Sequence, residues 1–393
     1  MREGWEYKKL GEVCFIERGG SPRPIQQYLT DRADGLNWIK IGDAVEGSKY
    51  INSTKEKIKP EGLKKTRFIH KGDFILSNSM SFGKPYILGI DGCIHDGWLV
   101  IRDNNKIFDK SYLYYLLSSP NMYQEFKRLA VGGVVNNLNS NLVRNVVVPI
   151  PPLAEQERIV AELDLLSSII EKKKAQLKEF DQLAQSIFYD MFGDPITNEK
   201  GWEVKKLGES VHEMFLGPFG SSLKVDSYVA KEESYCMVYE QKHAIQGTIS
   251  LDNHYINKDK YESLKRFEVK PNDFIMSCRG TIGRLFQLPH NAPLGIIHPS
   301  LMKIRIKDEV YNAAYFQFML VKIVANENTN GNCVQMAITA KQLSKKELTI
   351  PPLPLQKEFA SKVEAIERQK TLIQQSIDEV QTLFDSRMDY WFD

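Results

Sequence analysis

The side chains best equipped for chemistry in this 393-residue sequence are hydrogen-bonding groups gathered on short segments punctuated by Gly, Pro and Asn. In the first half they are Ser21, Arg23 and Gln26, then Ser79, Ser81 and Lys84, then Asn136, Asn137 and Asn139. In the second half they are Ser221, Ser222 and Lys224, then Arg279, Thr281 and Arg284, then Asn332 and Gln335. Loop-borne Arg, Lys, Asn, Gln, Ser and Thr supply the donors and acceptors that match base edges in a DNA groove, and the cations also reach phosphates. Arg279 and Lys84 are the foremost candidates. Each of these residues also has an ordinary reading as a solvated loop side chain.

No covalent chemistry accompanies them. The sequence has no G-x-x-x-x-G-K-[ST], no G-x-S-x-G, no H-E-x-x-H and no paired Cys/His spacing, so neither catalytic nor metal-binding residues are assigned. An amino-methyltransferase would show Asn or Asp before Pro-Pro and an aromatic after it. Here Pro151-Pro152 and Pro351-Pro352 are each preceded by Ile and followed by Leu, and they read as strand terminators. His95 in Ile94-His95-Asp96 and His298 in Ile297-His298-Pro299 occupy matching places without a shared catalytic partner, so both read as structural. Gly132-Gly133 and Gly331 read first as loop punctuation and second as points of close approach to phosphate.

The elements that must position these groups come in duplicate. The segment Gly4-Trp5-Glu6-Tyr7-Lys8-Lys9-Leu10-Gly11-Glu12 returns as Gly201-Trp202-Glu203-Val204-Lys205-Lys206-Leu207-Gly208-Glu209. Asp73-Phe74-Ile75-Leu76-Ser77 followed by Gly83 returns as Asp273-Phe274-Ile275-Met276-Ser277 followed by Gly283. Ile150-Pro151-Pro152-Leu153 with Gln156 returns as Ile350-Pro351-Pro352-Leu353 with Gln356. The offsets, 197 and then 200, are nearly constant, so one ancestral unit occurs twice and the chain is not a short solenoid repeat. Between these landmarks the copies differ freely, as a shared scaffold with two different targets requires.

Each copy has two parts. Short β-type runs such as Trp38-Ile39-Lys40-Ile41, Phe74-Ile75-Leu76 and Trp98-Leu99-Val100-Ile101 are matched by Met237-Val238-Tyr239, Phe274-Ile275-Met276 and Leu301-Met302-Lys303-Ile304. A helix is expected around Tyr112 to Arg128 and another around Asn312 to Ala325. Past each Pro-Pro-Leu the pattern turns helical, and the run from Ala154 to Phe192 contains neither Gly nor Pro. An apolar seam at Ile159, Leu163, Leu166, Ile170, Leu177, Phe180 and Ile187 is repeated at Phe359, Val363, Ile366, Ile373, Ile377, Val380 and Phe384. A helix of about 36 residues extends roughly 54 Å, more than one domain's core needs, so the two stripes are expected to pack together as an antiparallel coiled coil. Two separate amphipathic helices, each folded onto its own domain, are the alternative. The fold class is therefore mixed α/β, with two globular domains in pseudo-twofold tandem repeat (1–150 and 195–350) separated by long helices (151–194 and 351–393).

Composition agrees with this plan. The hydrophobic content of 42% supports two or more cores, and five scattered cysteines (Cys14, Cys93, Cys236, Cys278, Cys333) form neither a disulfide framework nor a zinc site. With a charged N-terminus and no run of about 18 apolar residues, the chain is expected to be a soluble cytoplasmic protein with reduced thiols. Each long helix carries eight acidic and five basic residues, so the remainder of this +2 chain has an excess of +8. A modest positive excess on the globular parts suits a phosphate-binding reader, and a solvated surface is the plain alternative.

The junction Pro151-Pro152-Leu153-Ala154-Glu155-Gln156-Glu157-Arg158-Ile159-Val160, its repeat at Pro351, the Gly-Trp-x-x-Lys-Lys-Leu-Gly-Glu openings and the Gly72-Asp73-Phe74-Ile75-Leu76-Ser77 strand resemble Type I restriction-modification specificity subunits, the HsdS family. The resemblance covers essentially the whole chain. It departs at the second junction, where Pro354-Leu355-Gln356-Lys357 replaces the Ala-Glu-Gln-Glu form. What it implies is a non-catalytic subunit whose target-recognition domains each read one half of a split double-stranded DNA site, with the helices setting the gap. It also implies two modification (methyltransferase) subunits that methylate adenine, and restriction subunits that cleave. S-adenosylmethionine, ATP and Mg would belong to those partners, with no cofactor on this chain and no membrane. The rival classes are a structural coiled-coil adaptor with protein-binding ends and a fused methyltransferase or nuclease.

Overall fold

The computed structural model describes residues 2–45, 47–78, 83–103, 105–131, 138–330 and 337–393. The chain divides into two compact units, Met1–Lys174 with Gln375–Asp393, and Ala175–Gln374. The division falls in the middle of each long helix, so each unit contains a globular part together with half of both helices.

The opening and closing motifs of each repeat are strand partners. Glu6–Lys9 runs antiparallel to Val147–Ile150, with Glu6 opposite Ile150, and Glu203–Lys206 runs antiparallel to Glu347–Ile350 in the same register. Pro151-Pro152 and Pro351-Pro352 then end the closing strand, because proline has no N–H to continue the ladder. The two motifs return together because each completes the other.

Between them, both units build the same pair of sheets. In unit 1 one sheet has the order Phe15–Arg18, Trp98–Arg102, Phe74–Ser77, Pro85–Leu88, Tyr50–Ile51, and the other Glu56–Ile58, Leu36–Ile39, Gly92–Ile94, Arg67–Ile69. In unit 2 the orders are Val211–Leu216, Leu301–Ile306, Phe274–Ser277, Leu285–Gln287 and His254–Ile256, Cys236–Tyr239, Gly295–Ile297, Glu268–Val269. The Phe74–Ser77 strand is buried on both faces, with Phe74 and Leu76 in one hydrophobic cluster and Ile75 in another. Phe274–Ser277 divides in the same way, Phe274 and Met276 against Ile275. That explains a continuous apolar run where a half-exposed strand would alternate.

The helix expected over Tyr112 to Arg128 is two, Lys110–Ser118 and Pro120–Val131. Pro120 cannot donate to the preceding turn, so it ends one helix and opens the next. The second copy has no proline there and runs unbroken over Ala313–Asn330.

The long helices span Leu153–Phe192 and Leu353–Phe392, 40 residues each. The altered second junction makes no difference to its start, since Pro354 lies in the first turn, where an N–H has no helical partner. Both starts are fixed by a fully buried glutamine. Gln156 accepts from the Asp109 N–H (2.8 Å) and donates to the carbonyls of Ile107 (3.1 Å) and Pro151 (2.9 Å). Gln356 accepts from the Asn312 N–H (2.8 Å) and donates to Val310 (3.0 Å) and Pro351 (2.8 Å).

The helices pack antiparallel within each unit. In unit 1, Ile159 and Leu163 share a core with Met388, Trp391 and Phe392, and the Glu162 carboxylate takes Arg387 and the Trp391 indole N–H. In unit 2, Phe188 and Phe192 share a core with Phe359 and Val363, and Lys370 reaches Asp181 at 2.8 Å. Of the seam residues, Ile159, Leu163, Leu166, Ile170, Phe359, Val363, Ile366 and Ile377 are buried, while Leu177, Phe180, Ile187, Ile373, Val380 and Phe384 are half-buried. After Ala184 the seam moves by one position, and Phe188 and Phe192 are deeper than Ile187 and Met191. Here the helix packs against the globular part's aromatic core around Tyr315 as well as against Phe359 of its partner helix, so the spacing of a two-helix seam no longer applies.

Cys14, Cys93, Cys236 and Cys278 are free and buried, and burial pushes each thiol up to about 12, leaving them unreactive at neutral pH. Among the described residues, no helix is long and apolar enough to cross a membrane.

Candidate nucleic-acid interface

In each unit two of the candidate loops are bonded to one turn, and the third is bonded to the residue that opens the middle loop. In unit 1 that turn is His95-Asp96-Gly97, which follows the central strand of the second sheet. The loop bearing Ser21, Arg23 and Gln26 leaves the first sheet at Gly19, whose N–H bonds the Trp98 carbonyl (2.9 Å), and Gly20 bonds the Ile94 carbonyl (3.2 Å). A Cβ on Gly19 would stand 2.3 Å from the His95 carbonyl oxygen, so only glycine allows this approach. The loop before Lys84 starts at Asn78, which donates its N–H to Gly97 (2.9 Å) and its side-chain amide to the Asp96 carbonyl (3.1 Å). The third loop returns at Leu138, whose N–H bonds the Asn78 carbonyl (2.9 Å).

Unit 2 repeats the arrangement around His298-Pro299-Ser300. Gly217 bonds Leu301 (2.8 Å), Cys278 bonds Ser300 (2.9 Å), and Ile338 bonds Cys278 (3.0 Å). Arg279 is further bridged to Ala337. The described ends of three loops far apart in sequence thus lie side by side in both units, on three backbone bonds that match position for position.

The middle loop has a fixed frame and variable contents. Ser77 donates its N–H to the Lys84 carbonyl (3.1 Å), its hydroxyl accepts from the Lys84 N–H (2.9 Å), and Gly83 bonds back to Ser77 (2.7 Å). Ser277, Gly283 and Arg284 make the same three bonds, at 2.9 Å each. Gly83 and Gly283 have φ of +78° and +83°, the left-handed region that favours glycine. The shared serine and glycine are therefore structural, and the residues between them are free to differ.

Individual assignments separate under this geometry. Arg23 stands 81% exposed, with one guanidinium nitrogen 3.4 Å from Asp96, so its charged head lies at the turn and is open to solvent. Ser21 donates to Asp96 (2.8 Å) and so holds the loop to the turn. Burial works to raise the Asp96 carboxyl, but the Ser21 hydroxyl, His95, Arg18 and Arg23 outweigh it and hold the group below its usual range. Gln26 is exposed and lines a cleft of about 750 Å³ with Arg23, Trp38, Lys40 and His95. Ser221, Lys224, Arg279, Thr281 and Arg284 are exposed, and Ser222 and Lys84 are half-buried. Asn139 is exposed, yet its side-chain oxygen caps the helix Ser140–Arg144 by accepting from Asn141 and Leu142, as Thr339 does for Ala340–Leu343. Ser79, Ser81, Asn136, Asn137, Asn332 and Gln335 lie outside the described residues.

The two histidines are part of the turn. His95 accepts from the Gly97 N–H at 3.0 Å, and His298 lies 2.8 Å from the Ser300 hydroxyl. Burial lowers both imidazoles below their ordinary range, against the pull of Asp96 on His95 and of Glu240 on His298. Sequence reasoning passed over Lys40, which pairs with Glu56 at 2.6 Å beside the cleft, and Gln241, whose amide donates to the Arg279 carbonyl at 2.7 Å. Gln241 follows a β-run in the polar stretch Glu240-Gln241-Lys242-His243, the same context that drew attention to the other loops. It also passed over Phe219, a ring left 85% exposed on the loop after Gly217. Among the described residues, no group of His, Cys, Asp and Glu could hold a metal ion.

Comparison with known proteins agrees with this architecture. A family model described as the Type I restriction modification DNA specificity domain matches residues 2–179 and again 199–382. The type I restriction enzyme MjaIX specificity subunit of Methanocaldococcus jannaschii is 22% identical over 387 residues, covering 92% of this chain and 86% of the relative. The EcoKI specificity subunit of Escherichia coli K12 is 21% identical over 400 residues, covering 93% and 82%. A chain from a solved type I R-M system, described for its complex assembly and conformational transition, superposes with a TM-score of 0.64 at 21% identity, covering 100% of this chain and 98% of that one. The S subunit of a Type-I restriction-modification system from M. genitalium gives a TM-score of 0.50 at 12% identity, covering 98% and 95%. The two family matches fall on the two copies of the internal repeat and together span nearly all of it, so this chain belongs to the Type I restriction modification DNA specificity family, whose domain it carries twice.

Proposed function

We propose that this chain is the DNA-reading subunit of a Type I restriction-modification assembly, each unit reading one half of a split duplex site, and that it catalyses nothing itself. The observation that carries the reading is that the described ends of three variable loops are held together beside one turn in both units, by three matching backbone bonds. A constant frame with changing contents is how one scaffold acquires two specificities. The paired long helices set the gap between half-sites, and two stiffly tethered readers reach a joint affinity that neither has alone.

Each unit's half of the helices also leaves apolar positions open to the modification subunits, Leu165 and Leu383 in unit 1 (62% and 49% exposed) and Leu183 and Leu372 in unit 2 (46% and 58%). Leu183 and Leu383 are equivalent positions in the two copies. S-adenosylmethionine, ATP and Mg belong to the partner subunits in this reading. The protein works in the cytoplasm, where the chromosome and those partners are.

Arg279 provides the test. It is exposed at the head of the middle loop while its carbonyl is held by Gln241, so its guanidinium is free to address a base edge. Arg279→Ala should cost about 1–3 kcal/mol on the cognate duplex and relax base preference in one half-site only. Unchanged preference at both halves overturns the assignment. Equal affinity of the wild-type complex for cognate and scrambled duplexes overturns DNA reading altogether and favours a protein-binding adaptor.

A further inference from the structure

Phe219 and Val225 are 85% and 79% exposed at the tip of unit 2's first candidate loop. The loop is well held from beneath. Gly217 is bonded to Leu301 on the first sheet, Ser222 donates its N–H to the Phe219 carbonyl (2.8 Å), and Leu223 is buried against Val238 and Ile256. The backbone of Phe219 is thus tied down while its ring projects into solvent, next to Ser221 and Lys224 and beside the loop that carries Arg279. A lone exposed phenylalanine needs no explanation by itself. One fixed outward among hydrogen-bonding groups that address base edges is a different matter, because base edges in the major groove present a single apolar feature, the 5-methyl group of thymine.

We infer that Phe219 reads a thymine in the half-site addressed by unit 2, laying its ring against the 5-methyl group in the major groove. The inference rests on the DNA-reading function proposed above and adds the chemistry of one recognised position. Wedging between base steps is the other use of an apolar tip, but a wedge must push against a stacked duplex. A ring with so little packed behind it lacks the support to do so. The first unit differs in kind, since its corresponding loop after Gly19 carries exposed Arg23, whose guanidinium lies 3.4 Å from Asp96. The two units therefore read by different means, one with a charged donor and one with an apolar surface included.

The test uses the full chain assembled with its modification subunits, and a duplex carrying the split motif mapped from host methylation. Each thymidine is replaced in turn by 2′-deoxyuridine, which removes only the methyl group. One position in one half-site should weaken binding about fourfold, the worth of one buried methyl group. Phe219→Ala should weaken binding of the thymidine duplex on the order of tenfold and bind both duplexes equally, while Phe219→Leu keeps the distinction. Because the side chain is exposed, both variants should melt at the wild-type temperature.

The inference is overturned if no thymine methyl matters, if the half-site contains no A·T pair, or if Phe219→Ala still distinguishes the duplexes. It is also overturned if a 2-aminopurine at a neighbouring step brightens with wild type and not with Phe219→Ala, which would mean insertion. In each of those cases the wild-type complex still prefers its motif over a scrambled duplex. Loss of that preference is the separate signature of a failed DNA-reading function.

Discussion

Replacing Gln356 by alanine should loosen unit 2 by about 4 kcal/mol. The side chain is completely buried and makes three hydrogen bonds, one from the Asn312 N–H and two to the carbonyls of Val310 and Pro351. Truncation leaves one buried donor and two buried acceptors, at about 1–3 kcal/mol each, less whatever the main chain recovers by relaxing. Gln356→Glu should be no milder, since it keeps the acceptor for Asn312 but sets a carboxylate against two carbonyls. The two units need not unfold together, so a single denaturation curve does not define the loss. Hydrogen exchange resolves it, and 4 kcal/mol corresponds to amide exchange about a thousandfold faster around Asn312 and the start of the Leu353–Phe392 helix. Gln156 makes the same three bonds in unit 1, so Gln156→Ala should produce a matching loss around Asp109 and leave unit 2 protected. A loss below about 1 kcal/mol, or one spread evenly over both units by either variant, would refute the idea that this glutamine clamps each long helix to its own globular part.

Lys303→Met should destabilise unit 2 by about 1–2 kcal/mol, seen as faster exchange confined to that unit, because it removes the buried cation 2.6 Å from Glu213 and 4.0 Å from Asp273 while Arg305 stays 2.6 Å from each carboxylate. In unit 1 the matching strand carries Val100 opposite Ile75, where unit 2 has Lys303 opposite Ile275. Glu162→Gln should weaken the packing of the two long helices in unit 1 by up to about 1 kcal/mol at pH 7, since both partners are about a third exposed. Arg387 holds the Glu162 carboxyl below its usual range against the opposing effect of burial, and Trp391 and Arg158 add to it. A carboxyl depressed in the folded state stabilises above its unfolded value, about 4.3, and loses that contribution as pH falls through the folded value. Wild type and variant should therefore differ in exchange near Phe384–Trp391 at neutral pH and converge as pH falls through the folded value of Glu162.

Much of the fold is legible in the sequence because the repeat places the same physical requirement in two independent contexts. A proline pair after an apolar strand and a buried glutamine four residues further on mean a helix start, and both copies deliver one. What the sequence hides are the places where a neighbour changes the rule. Heptad spacing chose Ile187 where Phe188 is deeper, because the last turns of the helix face an aromatic core as well as the other helix. Pro120 split one helix and left its counterpart whole. Lys303 reads as an ordinary polar residue in a strand, and only its neighbours show it to be a buried ion.

The candidate site is legible as a set of loops and less so as a set of residues. Serine and glycine at Ser77 and Gly83 signal a turn, and variation between the copies points to what lies inside it. Whether a given polar side chain faces outward depends on bonds made across the fold. Asn139 is spent on a helix cap, Ser21 is held by Asp96, and Arg23 stays exposed while it pairs with the same carboxylate. Apolar Phe219 gives no polar signal at all, and its exposure is what makes it a candidate.

Mapping methylated adenines across the host genome tests the central claim most directly, comparing cells with the gene, cells without it and cells carrying Arg279→Ala. The account predicts one split motif that disappears on deletion and relaxes in a single half with Arg279→Ala. A methylation pattern unchanged by deletion, or a motif that loses both halves alike with Arg279→Ala, would contradict it.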